Sequence, residues 1–275
     1  MPSEIYLDYN ATTPVIEEVI NIIKHCLKNQ WGNPSSGHII GKRAQKALEQ
    51  ARRYVANIIG AHKNEIIFTS GGTESNNLAI IGVSKRYKNR GKHLITTRIE
   101  HPSVLNPFIH LMEQGFKVDF IPPKKDGTID PKHIENVIRE DTIFCSVMFA
   151  NNETGAIQPI SEIGKICHRH NIIFHTDAAQ AVGKIEVDVK KLNVDLLTIA
   201  GHKLYAPKGI GALFIKEGTE LENILFGAGQ EMGLRPGTEP VPLACGIGEA
   251  CNFLKDKIPT LSKRFKELKG LLFNL

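Results

Sequence analysis

The feature that most limits how this chain can fold is a series of short, nearly continuous apolar runs separated by longer segments of helical periodicity. The runs occupy residues 65–69, 93–97, 117–121, 142–149, 171–176, 195–199 and 211–215. They do not alternate apolar with polar residues, so they read as strands covered on both faces. Helical segments at 75–89, 103–114, 131–139 and 160–170 separate most of them. A longer helix is expected over 38–60, where Ala44, Ala47, Leu48, Ala51, Val55, Ile58 and Ile59 recur at three- and four-residue steps and Gly60 suits the stop. Crossover helices between buried strands imply an α/β fold with a mostly parallel sheet. Ligands then belong in the crevice beyond the carboxyl ends of the strands.

Composition narrows the class. A chain of 275 residues, 41% hydrophobic and 23% charged, holds one large domain or one plus part of another. The formal net charge of +5 is spread without any block of like charges, which gives no case for nucleic acid. The five cysteines (Cys26, Cys145, Cys167, Cys245, Cys251) form no CxxC pair and read as reduced, intracellular thiols. The start, MPSEIYLDYNATTP, carries Glu4 and Asp8 and lacks an apolar signal core, and no run of about 18 apolar residues occurs. The expectation is a cytoplasmic protein with no membrane segment. After Gly218 the pattern changes to the Gly-rich stretch GAGQEMGLRPGTEP, a helix-like segment over 241–254 and a basic amphipathic one to the end. A second, incomplete domain is expected to begin there.

No P-loop, GxSxG or HExxH motif is present, and Gly227, Gly229 and Gly233 are spaced one residue too long for a dinucleotide fingerprint. Cys167, His168, His170 and His175 divide between a helix end and a strand, so no metal site is expected. Three other places carry chemistry. SGGTESNNLAI, residues 70–80, follows a strand and opens a helix; its glycines let a ligand approach, and Thr73, Ser75 and the following amides can bind an anion, or merely cap a tight turn. HTDAAQ puts Asp177 and Gln180 at a strand's carboxyl end, where Asp177 can hold a ring nitrogen protonated or simply cap the next helix. In AGHKLYAPKG, Lys203 is either a Schiff-base amine or a surface lysine. Together they match what a protein supplies to pyridoxal 5'-phosphate: a phosphate cradle, a partner for the pyridine nitrogen and a Schiff-base lysine.

LDYNATTP, NPSSGH, FTSGGTESNN, EHPSVL, NNETG, HTDAAQ, GHKLYAPKG and RPGTE, in this order, resemble the cysteine desulfurases of the class V aminotransferase group. The GQE…RPGTE stretch is similar to the selenocysteine lyases within it. The resemblance implies a homodimer that takes sulfur from L-cysteine, or selenium from L-selenocysteine, leaving L-alanine, and passes sulfur to an acceptor protein for iron–sulfur or thio-cofactor assembly. Lys203 would hold the cofactor and move protons, and His101 would stack on its ring. Asp177 would pair with the pyridine nitrogen, Gln180 and Asn152 would lie at the phenolic oxygen, and Gly72, Thr73 and His202 would bind the phosphate. Thr238 would reach the phosphate in the other subunit. Residues 1–14 would belong to a small domain, 15–250 would form the cofactor-binding domain, and 251–275 would begin the rest of the small domain, most of which is absent. Ala200 replaces a serine that supplies one phosphate hydrogen bond in many members. Neither the family's sulfur-accepting cysteine nor its carboxylate-clamping arginine has a counterpart here, so no catalytic cysteine is assigned. The alternatives are a selenocysteine lyase, another class V reaction such as transamination, and a fragment that holds cofactor without turning over.

Overall fold

A computed structural model describes residues 4–274. Seven strands form one sheet in the order β1-β7-β6-β5-β4-β2-β3. They are β1 (Ile66–Thr69), β2 (His93–Thr97), β3 (Lys117–Ile121), β4 (Thr142–Ser146), β5 (Ile173–Asp177), β6 (Leu196–Ala200) and β7 (Gly211–Ile215). The pairs from β3 through β6 are parallel, whereas β7 runs antiparallel to both β6 and β1. Only β7 therefore opposes the rest, and the other six strands end at one edge. The α/β class and mostly parallel sheet expected from the apolar runs are present.

The double-sided burial has a simple register. Ile66, Phe68, Ile95, Cys145, Leu197 and Phe214 enter one core, while their neighbours Ile67, Leu94, Phe144, Leu196 and Leu213 enter the other. The first core is covered by α2 (Ile39–Ile58), α6 (Ile160–Arg169) and α8 (Val241–Lys255), and the second by α3 (Gly72–Tyr87) and α4 (Pro102–Glu113). α1 (Glu17–Asn29) packs on α8 through Cys26 and Cys245, and α5 (Pro131–Asn136) and α7 (Val189–Leu192) are short connectors. α9 (Ile258–Phe273) is largely exposed beyond Ile258.

Where boundaries differ from the sequence expectation, hydrogen bonding explains it. The apolar run 142–149 leaves the strand after Ser146, yet Val147 and Phe149 still donate to the carbonyls of His175 and Asp177 and stay buried. Apolar character there marks burial alone. α3 begins at Gly72 rather than residue 75, because Ser75 N–H bonds back to the Gly71 carbonyl and the Glu74 carboxylate accepts from Ser70 N at 2.7 Å.

Candidate active site

The loops that leave β1, β2, β4, β5 and β6 at the common edge enclose a cleft of about 660 Å³. Eight of the nine residues expected to form the site line it: Gly72, Thr73, His101, Asn152, Asp177, Gln180, His202 and Lys203. The ninth, Thr238, is exposed and does not line it.

After β1, Gly71 caps α3 with φ 154° and ψ −176°, a backbone conformation nearly confined to glycine. A Cβ on Gly72 would lie 3.3 Å from that of Ala200, tight for a side-chain contact, so two bare residues lead into a helix whose N-terminus faces the cleft with Thr73. Ser75, expected to help bind an anion, is instead fully buried and bonded to Thr69 Oγ1 at 2.8 Å. One turn into the helix, its side chain has rotated to the core.

After β2, His101 caps α4, with Pro102 at the first helical position. Its Nδ1 accepts from Ser103 N at 3.1 Å and lies 2.8 Å from Ser103 Oγ. Asp177 ends β5 and is 7% exposed. Its Oδ1 accepts from Ala179 N at 3.0 Å and its Oδ2 from Asn76 Nδ2 at 2.7 Å. Burial pushes this carboxyl above its usual range, while those two donors and the charges of His101 and Lys203 pull the other way.

After β6 a short 3-10 turn, Gly201–Lys203, carries His202 and Lys203. The Lys203 ammonium donates to the carbonyls of Asn10 and Ala11. Burial lowers its pKa, against the pull of Asp8 and Asp177. His202 Nδ1 lies 3.1 Å from Thr12 Oγ1, and burial with the nearby Lys203, Lys208 and Lys184 keeps the ring below its ordinary pKa. Gln180 Nε2 donates to the Asn10 carbonyl at 2.9 Å, and its Oε1 accepts from Lys184, whose amine burial pushes down to about 8. Asn152 Nδ2 donates to Glu153 Oε1 at 2.6 Å, and its carbonyl accepts from Asn10.

Two groups at the site carry no local motif of their own. Asp8, Asn10 and Ala11, within LDYNATTP, form one wall of the cleft. Asn76, near the end of SGGTESNN, is the buried partner of Asp177, and its pairing across 101 residues leaves no local trace.

The histidine and cysteine cluster is dispersed. His168 pairs with Asp195 at 3.1 Å, and His175 is buried between Ser146 Oγ at 2.8 Å and Thr198 Oγ1 at 3.0 Å. All five cysteines are buried without disulfides, and none lines the cleft. Burial holds Cys251 up at about 12 and pushes Cys145 up as well. Cys245 is likewise raised, chiefly by its contact with Cys26. None is an activated nucleophile facing the site. Among the described residues, no helix is long and apolar enough to cross a membrane.

Thr238 lies in the stretch 227–240, which two ion pairs fasten to the fold. Glu231 meets Arg52 at 2.7 Å and Arg235 meets Glu74 at 2.9 Å.

Comparison with known proteins matches this arrangement. The chain is 48% identical over 274 residues to cysteine desulfurase IscS of Ehrlichia chaffeensis, covering 98% of this chain and 67% of that protein. It is similar to a solved NifS-like protein, with TM-score 0.96 and 36% identity over 99% of this chain and 75% of the other. It is also similar to a structure described as SspA in complex with cysteine, with TM-score 0.88 and 43% identity over 90% and 72%. The model of the aminotransferase class-V family matches residues 5–270, and this chain belongs to that family.

Proposed function

We propose that the cleft holds pyridoxal 5'-phosphate and that the chain acts as a cysteine desulfurase, removing sulfur from L-cysteine and leaving L-alanine. The observation that carries this reading is the buried carboxylate of Asp177 in one cleft with the Lys203 amine and the side-chain-free turn at Gly71 and Gly72. The identity to cysteine desulfurase IscS and the likeness to a protein solved with cysteine support the substrate.

The donor set fits that cofactor. The Gly72 backbone, Thr73 and His202 offer N–H and hydroxyl donors for a phosphate where a larger side chain at Gly72 would crowd Ala200. Ala200 itself offers no hydroxyl, which removes one hydrogen bond, worth about 0.5–1.5 kcal/mol. Asp177 is assigned to a protonated pyridine nitrogen, Gln180 and Asn152 to the phenolic oxygen, and His101 to the ring face. Bound there, the cofactor would supply an electron sink for the pair left at the substrate's α-carbon. Lys203 Nζ would be the group that anchors the cofactor, and its free amine would be placed to take the substrate's α-proton. Asn10 and Ala11 hold that amine through their carbonyls beforehand. The group that accepts sulfur lies outside the described lining of the cleft, because no cysteine is there.

We further propose a cytoplasmic homodimer in which Thr238, exposed in its own chain, completes the partner's phosphate site, with transfer of sulfur to an acceptor protein for iron–sulfur assembly. The same reading divides the chain into residues 1–14, 15–250 and 251–275; Cys251, Leu254 and Ile258, at the start of the last part, pack against the main core.

Titration of the chain with pyridoxal 5'-phosphate tests the reading. A visible absorption band that Lys203→Ala abolishes is expected; a band unaffected by that change refutes the assignment. Alanine release from L-cysteine or L-selenocysteine then separates the desulfurase from the lyase reading, and stoichiometric keto acid would mark transamination.

A further inference from the structure

Asn76 begins the second turn of α3 and is wholly buried, and its amide group bridges two elements. The two Nδ2 protons go to different partners, Asp177 Oδ2 at 2.7 Å and Ser103 Oγ at 2.8 Å. Ser103 Oγ in turn lies 2.8 Å from His101 Nδ1, and the Ser103 backbone N–H donates to that same nitrogen at 3.1 Å. A backbone N–H can only donate, so Nδ1 is the acceptor and the ring proton of neutral His101 sits on Nε2. With its lone pairs facing Asn76, the Ser103 hydroxyl gives its own proton to Nδ1. The chain of donors runs in one direction from Asn76 to His101.

This arrangement leaves Asn76 Oδ1 buried with no partner in the protein. An unsatisfied buried carbonyl is costly, and reversing the amide would not remove the cost cheaply. Reversal would set Oδ1 against the Asp177 carboxylate, which has no proton to give while it is ionised, and a Ser103 hydroxyl turned to donate to Oδ1 would give up its bond to His101 Nδ1. The orientation with both N–H groups outward matches an ionised Asp177.

We propose that Asn76 is a positioning residue that couples the two sides of the cleft, holding Asp177 as a carboxylate and, through Ser103, His101 as the Nε2–H tautomer. Asp177 is buried, and the charged or titratable groups around it are His101 from the start of α4, Lys203 from the turn after β6 and Glu100 from the loop after β2. The significance for a protonated ring nitrogen rests on the cofactor reading above. The tautomer and the carboxylate do not, and both are measurable without cofactor.

The experiment uses the full chain labelled with 15N at histidine and asparagine and 13C at the aspartate carboxyls, without added pyridoxal phosphate, and follows it by NMR across pH. In the unaltered protein His101 Nδ1 should carry the shift of an unprotonated acceptor and Nε2 that of a protonated nitrogen. The Asn76 amide protons should move with the Asp177 carboxyl at one shared midpoint. Asn76→Leu, similar in size but without donors, should raise that midpoint by about one to two pH units, the loss expected for one charge-assisted hydrogen bond. A His101 proton on Nδ1, or Asn76 amide protons indifferent to Asp177, overturns the proposal in the unaltered protein, whether or not the variant folds. An unmoved Asp177 midpoint in folded Asn76→Leu overturns it as well. The Lys203-dependent absorption band tests the cofactor reading separately, so failure of one is distinguishable from failure of the other.

Discussion

Replacing Glu231 by Gln isolates the value of the most enclosed ion pair among the described residues. Arg52 Nη1 meets Glu231 Oε2 at 2.7 Å and Nη2 meets Oε1 at 2.8 Å, with the two side chains only 6% and 2% exposed. Glu231 Oε2 also accepts from Phe68 N at 2.7 Å, and the guanidinium lies 4.8 Å from the centre of the Phe68 ring. Breaking a buried pair by removing one charge costs about 3–5 kcal/mol, because the remaining ion is left without compensation. Here the lower end applies: Gln keeps a carbonyl for Phe68 N, and Arg52 Nε still reaches the half-buried Glu49 at 3.1 Å. A chain of this length unfolds with an entropy of about 0.6 kcal/mol/K, so a loss of about 3 kcal/mol lowers Tm by roughly 5 °C. Thermal unfolding followed by circular dichroism reads this directly. Raising the salt concentration should leave the difference intact, since a pair this enclosed is poorly screened. The double change Arg52→Met with Glu231→Gln should recover most of the loss, because it leaves no desolvated charge and keeps an acceptor for Phe68 N. A Glu231→Gln shift below about 1 °C, or a double variant less stable than the single one, would refute the reasoning.

Glu100 accepts from Thr97 Oγ1 at 2.7 Å and Met148 N at 2.8 Å, and burial pushes its carboxyl up to about 8. Its folded pKa exceeds the unfolded one, so its penalty is absent below about pH 4.5 and grows as pH rises to 8; Glu100→Gln should flatten urea-measured stability across that window, and a slope equal to the parent's would contradict this. His175 shows the opposite sign, burial holding it down at about 3, so stability should fall as pH drops from 6.5 and His175→Gln should lessen that fall in acid denaturation. Gly71→Ala places a side chain at φ 154°, at a cost of about 1–3 kcal/mol, and should weaken pyridoxal phosphate binding far more than Gly115→Ala at an open surface turn; equal affinities would dissociate the turn from the cleft. Phe144→Ala, fully buried between Phe108 and His175, should cost about 3–5 kcal/mol in chemical unfolding without altering the position of the Lys203-dependent band.

Much of this architecture was legible because burial on both faces writes itself into seven apolar runs, and three of those runs coincide with strands to the residue: His93–Thr97, Lys117–Ile121 and Gly211–Ile215. The reversed direction of β7 was not legible, since strand direction is set by the short return from β6 and not by composition. Within the site, the residues directly after strands could be found from position alone. Asn76 and Asn10 could not, because each acts through a contact more than 100 residues away, Asn76 on Asp177 and Asn10 on Asn152 and Lys203. Ser75 shows the complementary error. A hydroxyl near a helix start suits an anion by type, but the helical rotation of 100° per residue turns its side chain inward.

The segment before the first helix has the same logic at longer range. Thr13 N donates to the His202 carbonyl at 2.9 Å, Thr13 Oγ1 donates to that oxygen at 2.9 Å, and Tyr205 N donates to Thr13 Oγ1 at 2.8 Å. Tyr205 sits at φ 66°, a conformation disfavoured for a bulky side chain, and its N–H is satisfied only by that hydroxyl. The turn that presents His202 and Lys203 is thus held in shape from outside the sheet, by residues nearly 200 positions earlier in the chain. Asn10 and Ala11, two residues before Thr12 and Thr13, give their carbonyls to the Lys203 ammonium. The same short stretch therefore fixes the backbone of the turn and the position of its amine. Any ligand that engages Lys203 must replace those two carbonyl contacts, while the Thr13 clamp on the backbone stays intact.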